Sequence, residues 1–121
     1  MHFYGTQAIN EQGHLTIGGV DTIELAKTYG TPLFVYDTAL IRNRARGFID
    51  TFKQYGVKAQ VAYASKAFAC IAAYQLAEQE NLSLDVVSGG ELYTAIKAGF
   101  PADRIHFHGN NKSISELQLA F

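Results

Sequence analysis

A chain of 121 residues that is 48% hydrophobic can bury one modest core. Ten basic residues against eleven acidic ones leave a net charge of −1. They are scattered rather than clustered, which argues against a nucleic-acid partner or an electrostatic hold on a membrane surface. The single cysteine, Cys70, excludes an intramolecular disulfide framework.

The opening Met-His-Phe-Tyr-Gly-Thr-Gln lacks the basic-then-apolar pattern of a secretory leader, and no apolar run approaches the ~20 residues of a membrane span. The expected location is the cytoplasm.

In chain order, His2 to Gly19 is irregular, with a short strand expected at His14-Leu-Thr-Ile17 after the Glu11-Gln-Gly13 turn. Asp21-Thr-Ile-Glu24 has the spacing of a capping box and predicts a short helix to Tyr29, stopped by Gly30. Leu33-Phe-Val-Tyr36 is rich in β-formers and reads as a strand. Asp37-Thr38 caps a helix through Tyr55, ended at Gly56, with Ile41, Ala45, Phe48 and Phe52 forming its apolar stripe.

Beyond residue 58 the pattern becomes regular. Strands are expected at Ala59–Tyr63, Leu82–Val87 and Arg104–Phe107. Helices are expected at about Phe68–Glu80 and at Gly90–Ala98, the latter closed by Gly99, and from the capping box Ser113-Ile-Ser-Glu116 onward. Three strand–helix cycles predict parallel strands with helical crossovers, an α/β fold. The third cycle stops inside a helix at Leu119-Ala-Phe121, which suits a piece of a longer (β/α)8 barrel better than a small complete α/β domain, although the latter stays open.

In parallel folds, chemistry gathers at the carboxyl ends of strands. Three candidates stand there. Lys66 follows the first strand; partial desolvation of such a lysine favours its neutral, nucleophilic form, which can condense with an aldehyde, although position alone favours an ordinary surface lysine. Asp85 lies among Leu84, Val86 and Val87, where a carboxylate needs a partner; Lys66 is the economical one. Ser88-Gly-Gly90 is a tight turn whose following helix end could receive an anion, and Glu91 sits in that helix's first turn, where the dipole stabilises an acid. His106 and His108 face one side of the third strand, with His108 nearer the rim; with no third ligand at a suitable spacing, no metal site is expected. Asn110 and Asn111 read as turn formers and Cys70 as a small buried hydrophobe.

With these residues in hand, Val61-Ala-Tyr-Ala-Ser-Lys66-Ala resembles the cofactor-lysine motif of pyridoxal-phosphate-dependent amino-acid decarboxylases of the alanine-racemase fold. Leu84-Asp-Val-Val-Ser-Gly-Gly-Glu-Leu92, Ile105-His-Phe-His-Gly-Asn-Asn-Lys-Ser113, Gly18-Gly-Val-Asp21 and Tyr29-Gly-Thr-Pro-Leu-Phe-Val-Tyr-Asp37 resemble further blocks of the diaminopimelate branch. The resemblance implies that residues 36–121 are the first three βα units of a pyridoxal-phosphate-binding (β/α)8 barrel. It implies also that residues 1–35 join a C-terminal β-domain, and that the enzyme is a homodimer acting on a small amino-acid substrate. The implied reaction is decarboxylation of meso-diaminopimelate to L-lysine. Lys66 would carry pyridoxal phosphate, with Asp85, Glu91 and His108 around the cofactor. The family's phosphate-binding loops and substrate-carboxylate residues would come later in the chain, so these 121 residues alone are expected to be inactive. Sibling ornithine, arginine or carboxynorspermidine decarboxylases remain alternatives, as does a non-catalytic barrel protein that binds the same cofactor.

Overall fold

The computed structural model describes residues 2–121, which fall into two compact units dividing between Arg44 and Ala45. In the first unit, β1 (Ala8–Ile9), β2 (Leu15–Ile17) and β3 (Val20–Asp21) form an antiparallel sheet in that order, pairing Ala8 with Thr16 and Thr16 with Asp21. Asp21 then caps α1 (Thr22–Tyr29) by accepting from the Ile23 N–H, and the same carboxylate takes Asn10 and His14, each at 2.8 Å. The His14 contact, ahead of the other bonds, holds the Asp21 carboxyl below its ordinary range. The expected capping box is therefore realised from the aspartate side, while Glu24 pairs instead with Lys27 at 2.7 Å. Gly30 ends α1 at φ 79°, a conformation open to glycine.

Leu33–Tyr36 is not a strand. These residues are exposed, Phe34 at 88%, and pair with no strand among the described residues; β-propensity makes a strand only where a ladder partner is at hand. Asp37 caps α2 (Thr38–Gln54) as expected, its carboxylate accepting from the Leu40 N–H at 3.0 Å and from the N–H and hydroxyl of Thr6 at 2.8 and 2.7 Å. Gly5 passes so close that a Cβ there would stand 2.5 Å from the Asp37 carboxylate. Of the proposed apolar stripe of α2 only Ala45 enters the core of the second unit, whereas Ile41, Phe48 and Phe52 stay exposed; Ile49, outside the stripe, packs against that core.

In the second unit, β4 (Ala62–Ala64), β5 (Ser83–Val86) and β6 (Ile105–Phe107) form a parallel sheet with β5 in the middle. Each strand is shorter than the sequence pattern suggests, and β4 begins and ends later than expected. A 3-10 turn, Ser65–Ala67, follows β4, and extended backbone at Phe68 and Cys70 delays α3 to Ile71–Gln79. α4 spans Gly89–Lys97, a 3-10 turn covers Ala102–Arg104, and α5 spans Ile114–Ala120. The core is Tyr74 and Ala77 of α3, Leu82, Leu84 and Val86 on or beside β5, Leu92 and Ala95 of α4, and Phe100. Three of the four β5 residues, Ser83, Leu84 and Val86, are fully buried, as a central parallel strand requires.

Around this core, Arg46 grips the buried Glu80 with two bonds of 2.6 and 2.9 Å. Arg104 reaches Glu78 at 3.0 Å and lies over the Phe100 ring. At α5 the capping box is complete: Ser113 Oγ accepts from the Glu116 N–H, and Glu116 accepts from the Ser113 N–H. No helix among the described residues is long and apolar enough to cross a membrane.

Replacing Leu84 by Ala leaves a cavity at the middle of the central strand and should cost about 2–5 kcal/mol, read from the denaturant midpoint of unfolding. The N–H groups of Ser113 and Gly89, and the Ser113 hydroxyl, hold the Glu116 carboxyl below its ordinary 4.5. Because the folded value is the lower one, this stabilisation is present above 4.5 and lost as pH falls through the folded value. Glu116→Gln should therefore lower the unfolding midpoint at neutral pH, and the gap to the wild type should close in acid.

Candidate functional site

Parallel register brings the three strand ends to one edge of the sheet. Ala64 pairs with Asp85, Asp85 with His106, and the His108 N–H continues the ladder to the Val86 carbonyl at 2.8 Å. Lys66, two residues past β4, Asp85 near the end of β5 and His108 just past β6 thus share the rim that the sequence predicts for them.

Lys66 is exposed, and its ammonium enters no hydrogen bond or ion pair among the described residues. The Asp85 carboxylate, expected opposite Lys66, faces His108 instead: its Oδ1 lies 3.6 Å from His108 Nδ1. That separation is too long for a hydrogen bond and suits an ion pair only with a protonated ring. The reason is the register: Asp85 pairs with a residue of β6 two positions before His108, so their side chains fall on the same side of the sheet.

Glu91 stands in the first turn of α4, as expected. Its Oε2 accepts from the Val87 N–H at 2.7 Å and lies 2.6 Å from Ser65 Oγ. Ser65 is fully buried directly before Lys66, and its hydroxyl also reaches the Asp85 carbonyl at 2.8 Å. Beneath them Tyr74 is fully buried; its hydroxyl completes no hydrogen bond of full geometry, although Ser65 lies near enough to act on it. Burial, ahead of the nearby Glu91 carboxylate, pushes the Tyr74 phenol above its ordinary pKa.

The Ser88-Gly-Gly90 turn opens α4, with Ser88 Oγ capping the Glu91 N–H at 3.2 Å. The anion at this helix end is supplied by the chain itself: Glu116 Oε1 accepts from the Gly89 N–H at 2.9 Å. Lys112 clamps the neighbouring loops, its ammonium donating to the carbonyls of Val87 and His108 above the Phe107 ring. Sequence reasoning passed over Ser65, Lys112 and Glu116 as parts of the site. Ser65 had one signal, its place inside the lysine motif; the other two bind across 25 and 27 residues of chain, a separation no local pattern carries.

The residues present fit pyridoxal phosphate in their donor set: an unpartnered primary amine for the aldehyde, with a carboxylate and an imidazole on the adjacent strand ends. The α4 N-terminus, already holding Glu116, is not free for the phosphate.

The chain is 72% identical to the diaminopimelate decarboxylase of Bacillus methanolicus and 67% identical to that of Bacillus subtilis, over 99% of its own length in each case. It spans only 28% and 27% of the length of those relatives. A crystal structure of diaminopimelate decarboxylase from M. jannaschii superposes with a TM-score of 0.86 at 39% identity, covering 95% of this chain and 27% of that one; a second structure of the same enzyme, in co-complex with L-lysine, matches equally well. Residues 38–121 match the pyridoxal binding domain of the pyridoxal-dependent decarboxylases, and the chain belongs to that family.

Proposed function

We propose that these residues form part of a diaminopimelate decarboxylase, which removes CO2 from meso-diaminopimelate to give L-lysine. The observation that carries this reading is the unpartnered Lys66 amine at the end of β4, beside Asp85 and His108 on the next two strand ends. The high identity to relatives that bear this name supports the choice of substrate.

When bound, pyridoxal phosphate supplies an electron sink for the pair left at the substrate Cα as CO2 departs. Lys66 would hold it through Nζ, and its amine, when free, would be placed to keep or return a proton. His108 and Asp85 would line the adjacent wall. The Asp85 carboxylate would face the His108 imidazole across that wall. Glu91 would contribute from below, through Ser65.

We place residues 36–121 as the first three units of a (β/α)8 barrel. β4 and β6 each have an outer edge without a strand partner among the described residues, and closure of a barrel would satisfy both. Residues 1–35, with their own antiparallel sheet, would join a C-terminal β-domain. The working enzyme would be a cytoplasmic homodimer.

Borohydride reduction of the complete polypeptide loaded with pyridoxal phosphate should fix a pyridoxyl group on Lys66, located by peptide mass spectrometry. Lys66→Ala should lower CO2 release from meso-diaminopimelate by about 10²–10⁴-fold. Faster turnover of ornithine or arginine than of diaminopimelate would move the assignment to a sibling decarboxylase.

A further inference from the structure

The turn that carries Lys66 is fastened on every side except the one its side chain occupies. Ser65, fully buried, reaches the Asp85 carbonyl and the Glu91 carboxylate. Glu91 binds the Val87 N–H with the same oxygen, so one carboxylate ties the turn after β4 to the backbone just past β5. On the far side of the turn, the Phe68 N–H donates to the Ser65 carbonyl at 3.1 Å, and the Tyr63 hydroxyl donates to the Phe68 carbonyl at 3.0 Å. Lys66 is thus an exposed, unpartnered side chain on a backbone that is fixed at both flanks.

We propose that Ser65 and Glu91 are positioning residues for Lys66, and that Glu91 acts through Ser65 rather than by touching the cofactor. The inference rests on the reading of Lys66 as the cofactor lysine. Its physical basis is the separation of two demands. A lysine that must release an aldehyde and later recapture it needs a mobile amine. The return is fast only if the amine starts from a fixed point, because misplacement by about 1 Å can cost about 10²-fold in rate. A long flexible stem on a pinned Cα meets both demands. A single hydroxyl proton cannot serve both acceptors around Ser65 at once, so the Val87 N–H is what keeps Glu91 in place when Ser65 donates to Asp85.

The test uses the complete polypeptide that carries these residues, as wild type, Ser65→Ala, Glu91→Ala, the double variant and Glu91→Gln. The readouts are the rate and pH profile of pyridoxal phosphate uptake by the cofactor-free protein, the residue fixed by borohydride, and a melting curve for each variant. Each alanine variant should slow uptake by between about ten- and a hundredfold. The double variant should be no slower than the worse single one, because both remove the same tie. Glu91→Gln keeps an oxygen that can accept from Val87 and Ser65, and should restore uptake to within about threefold of wild type with an unchanged pH profile.

Glu91→Gln behaving like Glu91→Ala would mean that the charge acts on the cofactor directly, and would overturn the proposal, as would additive effects in the double variant. If the alanine variants do not melt cooperatively, Ser65→Cys, which keeps the volume but weakens the donor, decides with Glu91→Gln: slowed uptake in the first and near-normal uptake in the second support the proposal, and equal rates overturn it. A pyridoxyl group absent from Lys66 in the wild type overturns the functional reading and this one together. A group on Lys66, with uptake unchanged in both alanine variants, overturns the positioning role alone.

Discussion

Burial of the Leu84–Val86 face of β5 is the constraint from which the rest of the second unit follows. Leu84 and Val86 have no exposed surface, and that is possible only with a strand on each side and helices α3 and α4 laid over the sheet. Once β5 is fixed in this way, a one-residue slip of β4 or β6 would send side chains to the opposite face. The register is therefore set by packing, and the register decides what stands at the rim. Lys66, Asp85 and His108 come together because three short parallel strands end level with one another, although 42 residues of sequence separate the first from the last.

A second layer of polar contacts turns this rough alignment into a defined site. Glu91 ties Ser65 to Val87, Glu116 holds the start of α4, and Lys112 draws the loops after β5 and β6 together. None of these side chains has to meet a ligand to matter. They satisfy backbone groups that the strand ends would otherwise leave open, and in doing so they settle where the exposed groups can be. The site is built from the outside of the core upward: apolar packing sets the strands, charged side chains set the loops, and the groups with spare chemistry are those left over.

Much of this was legible from the sequence, and the misses have common causes. Asp21, Asp37 and Ser113 announced their helices because capping is a contact within a few residues, and Gly30 and Gly56 ended theirs because a positive φ suits glycine. The rim residues were legible through the strand–helix alternation, and the family through the lysine motif and the two blocks after it. Leu33–Tyr36 was misread because residue preference cannot reveal whether a neighbouring strand exists. The α2 stripe was overread because helical periodicity says which residues share a face, not how much of that face finds a partner; Ala45 did, and Ile41, Phe48 and Phe52 did not. The bonds of Glu91 to Ser65 and Val87 were not legible, because the contact to Ser65 spans 26 residues of chain.

The pair Arg46–Glu80 carries a consequence for how such a sequence can drift. Glu80 is buried and accepts both bonds from a guanidinium that is itself largely in solvent. Loss of the arginine takes two bonds from a buried carboxylate, whereas loss of the glutamate frees an arginine that water can accommodate. The two positions are therefore unequal in tolerance, and the less costly path between sequences has a direction: exchange of the acid for a neutral residue ahead of change at its partner.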